Sequence, residues 1–151
     1  MVEWGMPAVT VTGKARIVLG VEATTEDGVI TELIRELAGC PEVRDVAELH
    51  RAVLARQKLQ TPLLGEGVAL PHARTPAVTE IVMAIGRCPA PVAFGPEKEP
   101  VRLVFLYGVP AHCISEYLAA VAQLARALKK TGTIEALLAA PDEASFRKAL
   151  Q

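Results

Sequence analysis

The first clear periodicity in the chain is helical. Ile30, Leu33, Ile34, Leu37 and Ala38 stand at i, i+3, i+4, i+7 and i+8. That spacing predicts a helix capped by Thr24 or Thr25 and stopped at Gly39. Beyond Cys40-Pro41 and a charged turn, Val46, Leu49, Val53 and Leu54 form a second apolar face, capped near Asp45. His50 falls on or beside that face and reads as a packing or boundary residue. Arg56 sits on the last turn, where a cation favours the negative helix terminus. The longest helix runs from about Ser115 to Lys129, with Tyr117, Leu118, Val121, Leu124, Ala125 and Leu128 on one face. Lys129 and Lys130 end it and Gly132 follows. A short helix at 134–139 and a last one after Pro141-Asp142, burying Phe146 and Leu150, close the chain.

Elsewhere the apolar residues run together. Ala15–Gly20 reads as a first strand, and Val68-Ala69-Leu70 is a brief run stopped by Pro71. Glu80–Gly86 is continuously apolar after its first residue, short enough for a strand buried on both faces. Arg87-Cys-Pro-Ala-Pro91 is expected to break it, and Val92-Ala-Phe94 to form a brief edge strand before a turn at 95–100. Val101–Tyr107 is the best strand, β-branched and aromatic. A loop from Gly108 to Ile114 carries His112 and Cys113. The order is strand, helix, helix, loop, strands, then three helices. Strands apolar on both faces require helices on both sides of the sheet, an α/β arrangement in three layers. Residues 1–14 are weakly patterned and read as a tail, with Trp4 left open between tail residue and contact.

Composition narrows the function. A chain of 151 residues is the size of one domain and can bury roughly 70% of its unfolded surface. Hydrophobic residues make up 51%, yet no apolar stretch approaches the ~18 residues of a membrane helix, so no membrane insertion is expected. Net charge is −1 with both signs interspersed, which removes the electrostatic argument for nucleic acid. No basic region precedes an apolar core at the N-terminus, so no export signal is expected. Three widely spaced cysteines, Cys40, Cys88 and Cys113, fit a reducing cytoplasm and no disulfide framework.

The stretch from Arg56 to Arg74 holds the candidate chemistry. Pro71 fixes its own φ and holds Leu70 extended, so His72 is delivered on a stiff backbone at a strand end. Gly65 and Gly67 permit close backbone approach to a partner or an anion. Arg74, two residues on, would share the face of His72 on an extended chain. His72 has two readings. It is either a half-buried loop histidine tying down a turn or a nucleophile with a lone pair near neutral pH. An arginine beside it would stabilise transferred negative charge. No partners for a hydrolase triad and no G-x-S-x-G elbow are evident, which leaves phosphoryl carriage as its chemistry.

Arg56, Thr61-Pro62, Gly65-Glu66-Gly67-Val68-Ala69-Leu70-Pro71-His72-Ala73-Arg74 resembles the active-site segment of enzyme IIA domains of the fructose–mannitol class. These belong to the bacterial phosphoenolpyruvate-dependent sugar phosphotransferase system, and the class includes nitrogen-regulatory enzyme IIA proteins. Histidine, proline, Gly-x-Gly and an arginine sixteen residues upstream agree together, and the resemblance covers nearly the whole chain. It implies a mixed β-sheet flanked by helices on both faces, in a single free-standing domain over 1–151. It implies that His72 accepts a phosphoryl group from the carrier HPr, on the ring nitrogen remote from the backbone. The group then passes to an enzyme IIB component, or the chain acts as a regulatory module on a transporter, kinase or transcription regulator. Arg56 belongs to the same site. Arg74, the Thr61 hydroxyl and backbone N–H groups around Gly67 and Ala73 are assigned to the phosphoryl oxygens. No cofactor is called for, because the group arrives on protein. Family members commonly carry a second histidine at the start of the long helix, and that position here is Tyr117. His112, five residues earlier, is the other auxiliary candidate.

Other constellations are weaker. His112 and Cys113 side by side cannot easily ligate one metal, and no C-x-x-C or H-x-x-x-H exists, so no metal site is expected. Asp142-Glu143 sits at a helix start, where capping explains it. Gly65-x-Gly67 lacks the strand-to-helix setting of a nucleotide fingerprint.

Overall fold

The computed structural model describes residues 14–65 and 67–151; Trp4, the expected tail apart from Lys14, and Glu66 lie outside the described residues. Ala15–Cys113 form one compact unit, and Ile114–Gln151 belong to a second. The first unit holds β1 (Arg16–Val18), α1 (Glu26–Leu37), α2 (Val46–Leu59), β2 (Val68–Ala69), β3 (His72–Arg74), β4 (Val82–Phe94) and β5 (Glu99–Val109). The sheet is mixed: β1 pairs parallel with β4, β4 antiparallel with β5, and β2 and β3 parallel with β5.

Both first helices begin where their sequence directs. Thr25 accepts the Gly28 N–H at 3.1 Å and Asp45 accepts the Glu48 N–H at 3.0 Å, each satisfying an amide that has no partner within its helix. The predicted stripe Ile30, Leu33, Ile34 and Leu37 is buried, and joins Leu49 and Val53 in one core with Ala73, Ala84, Val104 and Leu106 of the sheet. Alternation along the strands turns Met83, Ile85, Leu103, Phe105 and Tyr107 to the opposite face, where they are also buried. His50 has the packing role expected of it. Its Nε2 lies 2.9 Å from the Thr31 hydroxyl and ties α2 to α1.

The expected break at Arg87–Pro91 is corrected. Strand β4 runs through it, because the ladder skips from Arg87↔Leu103 to Val92↔Val101, so that Cys88–Pro91 bulge opposite Arg102. Pro89 and Pro91 have no N–H to lose there. Arg102 reaches across to the Cys88 and Pro89 carbonyls at 3.3 and 3.0 Å, occupying acceptors that the interrupted ladder leaves. Strand β5 also extends two residues beyond its expected bounds at each end, taking in Gly108-Val109. A Cβ on Gly108 would stand 2.9 Å from Leu49 Cδ1, so the missing side chain lets α2 approach the sheet.

In the second unit, α3 (Ile114–Lys129), α4 (Thr133–Ala139) and α5 (Glu143–Ala149) follow a 3-10 turn at Ala111–Cys113. Tyr117, Ala120, Leu124, Ala127 and Leu128 are buried on α3. Leu118, expected on that face, is 61% exposed, because one residue past Tyr117 is about 100° round the helix. Phe146 and Leu150 are buried as expected. Asp142 caps α5 by accepting the Ser145 N–H at 2.8 Å, and that bond holds its carboxyl below the usual range. Among the described residues no helix is long and apolar enough to cross a membrane.

Candidate functional site

Strands β2 and β3 share one register on β5, Ala69 beside Val104 and His72 beside Tyr107, so they are one strand interrupted at Leu70-Pro71. The interruption follows from proline chemistry. Pro71 has no N–H to give, although its carbonyl still accepts the Tyr107 N–H at 3.0 Å. Leu70 turns its own N–H away to the Pro62 carbonyl at 2.9 Å. Its carbonyl then meets the ring of His72, with Nδ1 2.9 Å away. A carbonyl can only accept, so Nδ1 carries the proton, and in a neutral imidazole the lone pair resides on Nε2. His72 is half-buried, so the ring is fixed without being sealed.

Ala73 joins the core under α2, so His72 and Arg74 turn to the other side of the strand together. Arg74 is exposed and lines a cleft of about 390 Å³ at the C-terminal ends of β3 and β5. Arg44, Thr75, Thr79 and His112 line the same cleft. Two guanidinium groups and an imidazole give it positive character, while the Thr79 hydroxyl donates to the Glu42 carbonyl at 3.4 Å and the Thr75 hydroxyl accepts the Ala77 N–H at 3.1 Å. The structure thus brings Arg74 and His112 together, in a cleft that His72 adjoins in sequence and does not line.

The remaining expected residues fall elsewhere. Arg56 is exposed on the last turn of α2, a helix packed against β3. Its carbonyl accepts the Gln60 N–H at 3.2 Å and closes the helix. Thr61 lies in the segment that runs beside Leu70, and its hydroxyl abuts Gly95, where an added Cβ would meet it at 3.0 Å. Gly67, at φ 74°, takes a conformation that favours glycine, and its carbonyl accepts the Arg102 and Leu103 N–H groups. It lies five positions before His72 along the extended chain, about 16 Å. Its visible work is therefore to start β2 rather than to face the imidazole. Tyr117 is buried on the first turn of α3, within the second unit.

Two participants carry no sequence signal of their own. The Leu70 carbonyl is backbone, and a main-chain acceptor has no residue type to mark it. Arg44 precedes the cap of α2 and is brought to the cleft by tertiary structure, its N–H bonded to the Ala77 carbonyl at 2.7 Å. A further grouping joins Glu80 to His112 and Cys113, with one donor atom from each within 4.8 Å of the others.

A family model described as "Phosphoenolpyruvate-dependent sugar phosphotransferase system, EIIA 2" matches residues 10–151. The chain is 28% identical over 131 residues to the PTS system fructose-specific EIIABC component of Bacillus subtilis, covering 86% of this chain and 21% of that protein. It therefore spans about a fifth of that relative's length. The crystal structure of nitrogen regulatory protein IIA-Ntr from Neisseria meningitidis superposes with a TM-score of 0.81 at 29% identity, over 90% of this chain and 93% of that one. The complex of enzyme IIAMTL with phosphorylated enzyme IIBMTL from Escherichia coli superposes with a TM-score of 0.76 at 27% identity, over 89% and 93%.

Proposed function

The chain belongs to the EIIA 2 family of the phosphoenolpyruvate-dependent sugar phosphotransferase system, and on that premise we propose that it relays a phosphoryl group through His72. The observation that carries this reading is the bond from Nδ1 of His72 to the Leu70 carbonyl. It fixes the tautomer whose Nε2 lone pair can attack phosphorus. A P–N bond forms at Nε2 as the bond from phosphorus to the donor's histidine nitrogen breaks. The leaving imidazole keeps the electron pair. Catalysis of such a transfer is mostly positioning and stabilisation of spread negative charge. Arg56 and Arg74 supply cations for that charge, with Thr61 near the same stretch of backbone. The transfer itself needs no cofactor.

The proposed donor is the phosphocarrier HPr and the proposed acceptor an enzyme IIB component, in the cytoplasm. The IIAMTL complex supports an enzyme IIB partner, since it is the IIA of that pair that superposes on this chain. A second reading is favoured by the Neisseria structure, which matches over nearly its whole length and is named a nitrogen regulatory protein. In that case phosphorylated and unphosphorylated His72 are two states read by a regulatory target. Incubation with phosphoenolpyruvate, enzyme I and HPr, followed by intact mass measurement, tests the shared step. One added phosphoryl group is expected; an unchanged mass for the folded protein overturns the relay.

A further inference from the structure

We propose that Glu80, His112 and Cys113 form a binding site for a divalent zinc ion, separate from the phosphoryl chemistry of His72. Each residue reaches the site for a local reason. In an extended strand, neighbours such as His112 and Cys113 would point to opposite faces. The 3-10 turn at Ala111–Cys113 instead sets successive side chains about 120° apart on a tight spiral, and a long imidazole can swing towards the thiol of the next residue. Glu80 lies in the bend two residues before β4. Val82 at the start of β4 pairs antiparallel with Gly108 near the end of β5, so the segment entering β4 and the segment leaving β5 lie at the same end of the sheet. The three donor atoms then lie within 4.8 Å of one another.

Ligands of a tetrahedral zinc, at about 2.0–2.3 Å from the metal, stand roughly 3.3–3.8 Å apart. Glu80 and His112 are exposed, so rotation of two surface side chains onto a buried Cys113 closes the remaining gap. The donor set selects the ion. Thiolate with imidazole and one carboxylate suits zinc, whereas magnesium and calcium want oxygen throughout. Charge agrees as well. A thiolate and a carboxylate cancel the two positive charges of the ion, so the site is neutral beside Arg44 and Arg74 of the neighbouring cleft. Three protein ligands leave a fourth position for water or for an anion held by those arginines. Binding converts the Cys113 thiol to thiolate and releases one proton to solvent for each ion.

The full chain titrated with cobalt(II) should show tetrahedral d–d bands together with a thiolate-to-cobalt charge-transfer band in the near ultraviolet. Cys113→Ser should remove that charge-transfer band, while Cys88→Ser keeps it. Competition between zinc and a chromophoric chelator should give one ion per chain. His112→Ala should weaken that binding by more than about 100-fold, above the roughly 10–100-fold cost of losing an outer partner, and Glu80→Gln by at least about tenfold. His112 and Glu80 are surface positions, so these two variants test the site even where Cys113→Ser fails to fold. A cobalt complex without the charge-transfer band overturns the proposal. So does a zinc affinity that folded His112→Ala and Glu80→Gln leave unchanged.

Discussion

His72 donates through Nδ1 to the carbonyl of Leu70, two residues back, at 2.9 Å. A histidine held by its own strand in this way cannot rotate to exchange its two nitrogens without losing that bond. The backbone therefore sets which nitrogen carries the proton, and the Leu70 carbonyl is open to the ring because Pro62, which accepts the Leu70 N–H at 2.9 Å, has no N–H to return.

The modified protein should carry its phosphoryl group on Nε2. Phosphorus NMR of the product, compared with the two isomers of phosphohistidine, reads the position. The bond should be labile in acid and stable in alkali, as N-phosphoimidazoles are, and His72→Ala should abolish it. Phosphate on Nδ1, or phosphate remaining on the mutant at His50 or His112, refutes the assignment.

Arg56→Lys keeps the charge and loses the planar fork. If both arms of the guanidinium hold phosphoryl oxygens in the transition state, the variant should transfer more slowly. A charge-assisted hydrogen bond is worth about 1.5–3 kcal/mol, roughly ten- to a hundredfold in rate. Rapid-quench transfer from phosphorylated HPr measures it. Unchanged kinetics in a folded variant would reduce Arg56 to a helix terminus.

Much of this architecture was legible in the chain, and the exceptions share a physical cause. Helix starts were readable because a cap is local: Thr25 and Asp45 act on amides three residues away. His72 stood out because proline, glycines and arginine all lie within one short stretch. The continuity of β4 was not readable, since Pro89 and Pro91 forbid regular pairing and only the partner strand shows that a bulge absorbs them. Leu118 misled because its apolar character says nothing about the angle at which it leaves the helix. Glu80 could not be joined to His112 and Cys113 from spacing, because tertiary structure, not sequence distance, sets that approach. Arg44 reaches the cleft in the same way.

Cys88 should resist alkylation in the folded protein. It is 1% exposed, and burial pushes its thiol from an ordinary 9.0 up to about 11, with Glu32 adding to the rise and Arg102 opposing it. Its folded value is raised, so any stability linked to it is full below about pH 9 and declines as pH climbs towards 11. Iodoacetamide at neutral pH, followed by peptide mass analysis, should find Cys88 unmodified until the protein is denatured. Stoichiometric labelling of the native protein would contradict this.

Gly108 offers a test of how closely α2 must sit on the sheet. The residue pairs with Ala73 on β3, between the partners of His72 and Arg74. A Cβ there would lie 2.9 Å from Leu49 Cδ1, 3.0 Å from Val82 Cγ2 and 3.4 Å from Val78 Cγ1. Leu49 and Val82 are themselves buried, so their tips have little room to retreat. Gly108→Val adds two further methyl groups to that contact and should cost about 1–3 kcal/mol by overpacking. For a chain of this size that lowers the melting temperature by about 2–12 °C. Relief should come from α2 lifting away, and Arg56 rides on the same helix. Well below its melting point the variant should therefore transfer phosphate more slowly than wild type while His72 keeps its bond to Leu70. Calorimetry and transfer kinetics on one preparation separate the two effects. A stable variant with normal transfer shows that the contact is soft; lost stability with normal transfer shows that α2 is packed tightly but that its position does not govern the relay.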